Sequence, residues 1–131
     1  MKSCICGKSK PFSKCCERFL SGNANAKTPE QLMRSRFSAY ALGGYGEYLL
    51  STWLSASASD LSVADLSEKT VSWQRLEVIS SSQKGNHGMV EFKAWFSKPS
   101  NSDDGLEMMH EVSEFVRMQS RWFYVGGVLL D

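Results

Sequence analysis

All four cysteines of this chain fall inside thirteen residues, Cys4-Ile5-Cys6-Gly7-Lys8-Ser9-Lys10-Pro11-Phe12-Ser13-Lys14-Cys15-Cys16, in a C-x-C-x8-C-C pattern. Four thiols this close share a metal ion, form disulfides or stay free. Zinc suits the first arrangement, because it takes soft sulfur donors in a tetrahedron. The C-x-C pair brings two sulfurs to one side of an ion, Gly7 lets the backbone turn tightly straight afterwards, and Pro11 shapes the return. Phe12 offers an apolar cover. Cys15 and Cys16 can both ligate at a turn or helix start, whereas an extended strand would point them to opposite faces.

Disulfides are the main alternative, with three pairings open to four cysteines. Closing Cys4 onto Cys6, or Cys15 onto Cys16, strains the bridge. No signal peptide precedes Met1, so the chain is expected to be cytoplasmic, where structural disulfides are rare. The expectation is therefore a Zn2+ held by Cys4, Cys6, Cys15 and Cys16, with iron the lesser metal. Catalytic zinc keeps three protein ligands and an open position; four thiolates close the shell, so the zinc is expected to be structural. Lys2, Lys8, Lys10, Lys14 and Arg18 surround the cluster. They either stabilise thiolates or form a basic knuckle that touches nucleic acid or an acidic protein.

With 131 residues the chain accommodates one domain and a small appendage, and 42% hydrophobic content with four Trp, four Tyr and seven Phe supplies a core. A net charge of +1 argues against a nucleic-acid coat or a membrane-surface binder. No apolar run approaches the ~20 residues of a membrane helix. Residues 1–22 read as the zinc knuckle and 28–131 as the body. Ser21 to Lys27 reads as a linker, or else Phe19 and Leu20 dock the knuckle on the body.

In the body, Thr28 caps a helix, Pro29 takes its first position, Gln31 completes a capping box, and Gly43-Gly44 ends it. Met33, Phe37, Tyr40 and Ala41 make its buried stripe, with Arg34 and Arg36 on opposite margins. Tyr45–Leu54 reads as a second helix and Asp60–Glu68 as a poorer third. From Thr70 the period becomes two, giving strands over 71–80, 89–97, 106–118 and 121–129, joined by Gln83–Gly88, Lys98–Gly105 and the tight Gln119-Ser120. Helices first and an antiparallel meander second make an α+β fold.

Candidates for chemistry in the body are few. Arg34 and Arg36 are surface arginines with buried stems, or one leans over a cavity to hold an anion. His110 and Glu114 share one strand face with Met108, Val112 and Val116, whereas Glu111 points the other way. That makes His110 a core residue or a general base. Trp53, Trp73, Trp95 and Trp122 are core or line an apolar pocket. Glu91 and Lys93 are expected to pair, and Asp103, Asp104 and Glu107 to form a solvated acidic loop. The chain has no Gly-rich phosphate loop after a strand, no G-x-S-x-G and no H-E-x-x-H.

Cys-x-Cys-Gly followed by an aromatic and Cys-Cys resembles the SEC-C zinc motif of translocation ATPases, with Lys8-Ser9 and Pro11 departing from its usual residues. Leu32-Met33-Arg34-Ser35-Arg36-Phe37-Ser38-Ala39-Tyr40, His110-Glu111-x-Ser113-x-Phe115-x-Arg117 and Trp122-Phe123-Tyr124-Val125 complete a resemblance to the YchJ-type family of bacterial proteins over nearly the whole chain. It implies helices packed on a curved four-stranded antiparallel sheet, the nuclear-transport-factor-2-like cone, whose relatives include hydrolases, isomerases and dehydratases. Many members carry a second knuckle at the carboxyl end, whereas this sequence stops at Asp131. The leading expectation is a binding module whose knuckle contacts a protein or nucleic acid. The alternative is a small-molecule-binding protein or enzyme whose cone pocket uses His110 with Arg34 or Arg36.

Overall fold

The structure, a computed structural model, describes residues 3–99 and 105–130. Asp103, Asp104, Lys2 and Asp131 lie outside the described residues. After a short 3-10 turn, Phe12–Lys14, come helices α1 (Glu17–Leu20), α2 (Pro29–Leu42), α3 (Gly46–Ser51) and α4 (Val63–Ser67). Strands β1 (Ser72–Lys84), β2 (His87–Ser97), β3 (Glu107–Met118) and β4 (Arg121–Leu130) follow as one antiparallel meander in the order β1-β2-β3-β4. The fold is α+β, helices first and sheet second.

α2 is the helix the molecule is built on. The Thr28 hydroxyl accepts from the Gln31 amide at 3.1 Å, and Pro29 takes the first turn, where a missing N–H goes unnoticed. Gln31 Oε1 reaches back to the Lys27 amide at 2.7 Å, one residue earlier than a capping box requires. The helix stops at Gly43, with φ +74°. Its burial exceeds the expected stripe: Leu32, Ser35, Arg36, Ser38 and Ala39 are buried alongside Met33, Phe37 and Ala41. The sheet, α3 and the cysteine loop each cover one side, so little of the helix faces water. The serines fit because they are short and bonded. Ser35 Oγ donates to the Leu32 carbonyl at 2.8 Å and lies 2.6 Å from the Tyr48 hydroxyl.

The sheet curves through register shifts in β1, between Trp73 and Arg75 and between Val78 and Ser80, and one opposite Glu114/Phe115 that leaves Val125 unpaired in β4. Its inner face, carrying Leu76, Val90, Phe92, Ala94, Phe115 and Trp122, packs on α2 with Phe19 and Phe37. β1 and β2 run on to Lys84 and His87, so Gly85-Asn86 alone makes the turn where a six-residue loop is expected. α3 is shorter than expected: Trp53 lies beyond it, where residues 52–54 run beside β4. There the Leu54 amide donates to the Tyr124 carbonyl at 2.8 Å, and the Tyr124 amide to that of Thr52 at 2.8 Å.

Residues 23–27 are packed against the body. Ala26 shares the main core with Phe19, the Ala24 amide bonds the Arg18 carbonyl at 2.9 Å, and Trp122 Nε1 donates to the Lys27 carbonyl at 3.2 Å. Phe19 docks the cysteine segment, while Leu20 is only half buried. Among the described residues no helix is long and apolar enough to cross a membrane.

Candidate functional site

The Sγ atoms of Cys4, Cys6, Cys15 and Cys16 all lie within 4.8 Å of one another, and all four residues are buried. Local backbone rules explain the convergence. Gly7 takes φ +96°, open to glycine and strained for other residues, and its amide bonds the Cys4 carbonyl at 3.1 Å. The Cys4 amide bonds the Lys10 carbonyl at 2.7 Å, closing the loop that Pro11 begins to return. Cys16 is helical as the N-cap of α1, and Cys15 has φ −129° and ψ −110°. Neither is extended, so both sulfurs turn inward. Phe12 packs against the cluster, and none of the cysteines is in a disulfide.

Four thiolates cannot coexist here unaided. Hydrogen bonding from the Cys16 thiol, against the opposing effect of burial, holds Cys6 down at about 5. The same bond to Cys6, together with burial, pushes Cys16 far up, and burial pushes Cys15 up to about 11. One negative charge suppresses the next, and a cation at the centre removes that penalty. The donor set can hold a metal ion.

Arg34 and Arg36 diverge. Arg34 turns to the cysteine loop: its Nη1 donates to the Cys6 carbonyl at 2.5 Å and its Nε to Glu30 Oε2 at 2.9 Å. Glu30 also receives Lys8 at 3.8 Å and Ser81 Oγ at 3.3 Å. Burial raises the Glu30 carboxyl, but Arg34 and Lys8 outweigh it and the net shift is downward. At Gly7 an added Cβ would meet the Leu76 carbonyl oxygen at 3.1 Å and Arg34 Nη1 at 3.3 Å, so loop and body are in close contact. Ser38 Oγ, fully buried on α2, lies 3.9 Å from Cys4 Sγ.

Arg36 points the other way, into a cavity of about 220 Å³ between α2 and the inner sheet face. It is only 5% exposed. Its Nη1 donates to the Leu49 carbonyl and to Thr52 Oγ1, each at 2.7 Å, and its guanidinium carbon lies 4.7 Å from the ring centres of both Trp53 and Tyr124. Burial lowers its pKa. Across the cavity, Glu111 Oε2 accepts from Ser113 Oγ at 2.5 Å and from the Tyr124 hydroxyl at 3.4 Å. Burial, then Glu111, pushes Tyr124 up to about 12, and burial raises Tyr40.

His110 is on the opposite face. It shares that face with Met108, Val112 and Val116 as expected, but the face is the outer one, and Met108 is exposed. His110 Nε2 lies 2.7 Å from Glu91 Oε2, so Glu91 pairs with His110 rather than with Lys93. Arg34, Arg36 and His110 therefore do not converge. Glu107 pairs with Lys98 at 3.6 Å. Trp53 and Trp73 line the cavity, Trp122 is core, and Trp95 stacks under Arg75 on the outer face.

Sequence reasoning misses Glu111 as a cavity residue. The signal was available: between Met109 and Phe115 one phase of β3 runs Met109, Glu111, Ser113, Phe115, and Glu111 is the charged residue set among them. Gly127 is a second trace, because a Cβ there would collide with the Glu111 carboxylate. Its glycine leaves room for that side chain.

Fold and site together define an α+β body of the nuclear-transport-factor-2-like class that carries an amino-terminal four-cysteine knuckle. Residues 28–127 match the family described as YchJ, middle NTF2-like domain. The chain belongs to this family. It is 36% identical over 128 residues to a UPF0225 protein of Sodalis glossinidius, covering 95% of this chain and 81% of that protein. A UPF0225 protein of Chromobacterium violaceum is 38% identical over 131 residues, covering 97% and 93%. Among solved structures, a SEC-C motif containing protein from Rhodopseudomonas palustris superposes with a TM-score of 0.88 at 31% identity, covering 99% of this chain and all of that one. Another, from Psychrobacter arcticus, gives 0.81 at 27% identity, covering all of this chain and 84% of that one.

Proposed function

We propose that this chain is a zinc-stabilised binding protein. Cys4, Cys6, Cys15 and Cys16 hold a structural Zn2+, and the ordered knuckle offers its basic rim to an acidic segment of a protein partner. The observation that carries this reading is the clustering of four buried sulfurs within 4.8 Å. A tetrahedron of Zn–S bonds of about 2.3 Å has edges of about 3.8 Å. The Cys6–Cys15 separation of 3.6 Å matches that edge. Four sulfur donors leave no place for water, so the metal supplies shape rather than a nucleophile. The SEC-C motif in the names of two structural neighbours supports the same reading.

Lys10 and Lys14 are exposed on the knuckle, and neither forms an ion pair among the described residues. The net charge of +1 and the lack of exposed aromatic residues between these lysines favour an acidic protein over nucleic acid. Fluorescence anisotropy on the zinc-loaded chain tests this, using a labelled Asp/Glu-rich peptide and a labelled single-stranded oligonucleotide. The peptide is expected to bind, and Lys10→Glu with Lys14→Glu to weaken it at least tenfold. Binding of the oligonucleotide alone, or peptide binding indifferent to both substitutions, contradicts the proposal.

A further inference from the structure

The geometry points to a ligand for the cavity under α2: a single-ring aromatic acid that also carries a hydrogen-bond donor, its anionic group toward Arg36 and its donor toward Glu111. This inference does not depend on the partner of the knuckle.

Size sets the first limit. An apolar cavity of about 150 Å³ holds benzene, so about 220 Å³ takes one ring with small substituents. The walls set the second. Phe37, Trp53, Trp73, Phe92, Met109 and Phe115 present apolar and aromatic surface, which favours a flat, weakly hydrated body.

The two charges set the third. Among the described residues no carboxylate oxygen lies within 4.0 Å of the Arg36 guanidinium. Its charge is met by the Leu49 carbonyl, the Thr52 and Tyr40 hydroxyls and two ring faces, all of them neutral groups, which leaves a positive potential at the cavity wall. Glu111 uses Oε2 for both of its hydrogen bonds, and Oε1 has no partner among the described residues. Among the described residues no side-chain oxygen or nitrogen is both buried and unbonded, so Oε1 is accessible, and Glu111 lines the cavity. The outer face offers the contrast, for there His110 and Glu91 satisfy each other at 2.7 Å. Inside, cation and carboxylate face one space without meeting. A ligand with an acceptor end and a donor end completes both.

Proton NMR titration of the zinc-loaded full chain tests this with three probes: 4-aminobenzoate, benzoate and toluene. 4-Aminobenzoate is expected to bind saturably and to shift the indole N–H signals of Trp53 and Trp73 while leaving that of Trp95 in place. Benzoate, lacking the donor, should bind about tenfold more weakly, the worth of one charge-assisted hydrogen bond, and toluene more weakly again. Glu111→Gln should remove most of the preference for 4-aminobenzoate without weakening benzoate. The comparison of probes on the unaltered chain decides the matter even where the variant fails to fold. Toluene binding as well as the acids, equal binding of the two acids, or no saturable shift of Trp53 and Trp73 overturns the inference.

Discussion

Arg34 Nη1 donates to the Cys6 carbonyl across 2.5 Å, joining the central helix to the loop that carries two of the four sulfurs. The same guanidinium holds Glu30 one turn earlier on α2, so loop, helix and salt bridge form one unit. The cysteine segment is ordered from the body side as well as from within.

Arg34→Ala should therefore loosen the knuckle. A partly buried hydrogen bond to a charged group is worth about 1.5–3 kcal/mol. Denaturant unfolding should show a loss of that order, and a colorimetric chelator should strip metal from the variant faster than from the unaltered chain. Arg34→Lys keeps the charge but not the fork that serves both partners, so it should recover only part of the loss.

Acid acts through Glu30. Its folded pKa lies below the ordinary carboxylate value, so its pairing contributes stability that is complete above the unfolded pKa, about 4.3. That contribution fades as pH falls through the lower folded value. With metal loading held equal, urea midpoints between pH 6 and pH 3 should fall less steeply for Glu30→Gln than for the unaltered chain.

Gly127→Ala forces the Glu111 carboxylate away from Ser113 and Tyr124. Two lost hydrogen bonds predict a destabilisation of roughly 1–3 kcal/mol. In a double-mutant cycle Glu111→Ala should absorb most of that loss, because it removes the clash. Additive effects would show that the two residues are uncoupled.

The turn between β3 and β4 carries an avoidable strain. Gln119 and Ser120 adopt φ +51° and +67°, a left-handed region that favours asparagine and glycine. Ser120→Gly should relieve about 1 kcal/mol of it and raise the melting temperature by several degrees.

Much of this was legible in the sequence, and the failures share a cause. The cysteine cluster was readable because chemistry and spacing act locally. The strands were readable wherever one face is buried. Residues 79–87 carry no alternation because every residue there is exposed, so neither face of that hairpin is marked by burial. Its two-residue turn therefore reads as a long loop in the sequence. On β3 both phases contain apolar residues, Met108, Val112 and Val116 in one and Met109 and Phe115 in the other. Period two separates the phases but does not say which meets the helix. That choice belongs to tertiary packing, as does the burial of Arg36, whose partners Leu49 and Thr52 come from another element.

Native mass spectrometry of the freshly purified chain, followed by chelation and amide hydrogen exchange, tests the central claim most directly. The account predicts one zinc per chain, and on its removal fast exchange across residues 3–22 while α2 and the sheet stay protected. A metal-free chain whose amides at residues 3–22 are as protected as those of α2 would contradict it.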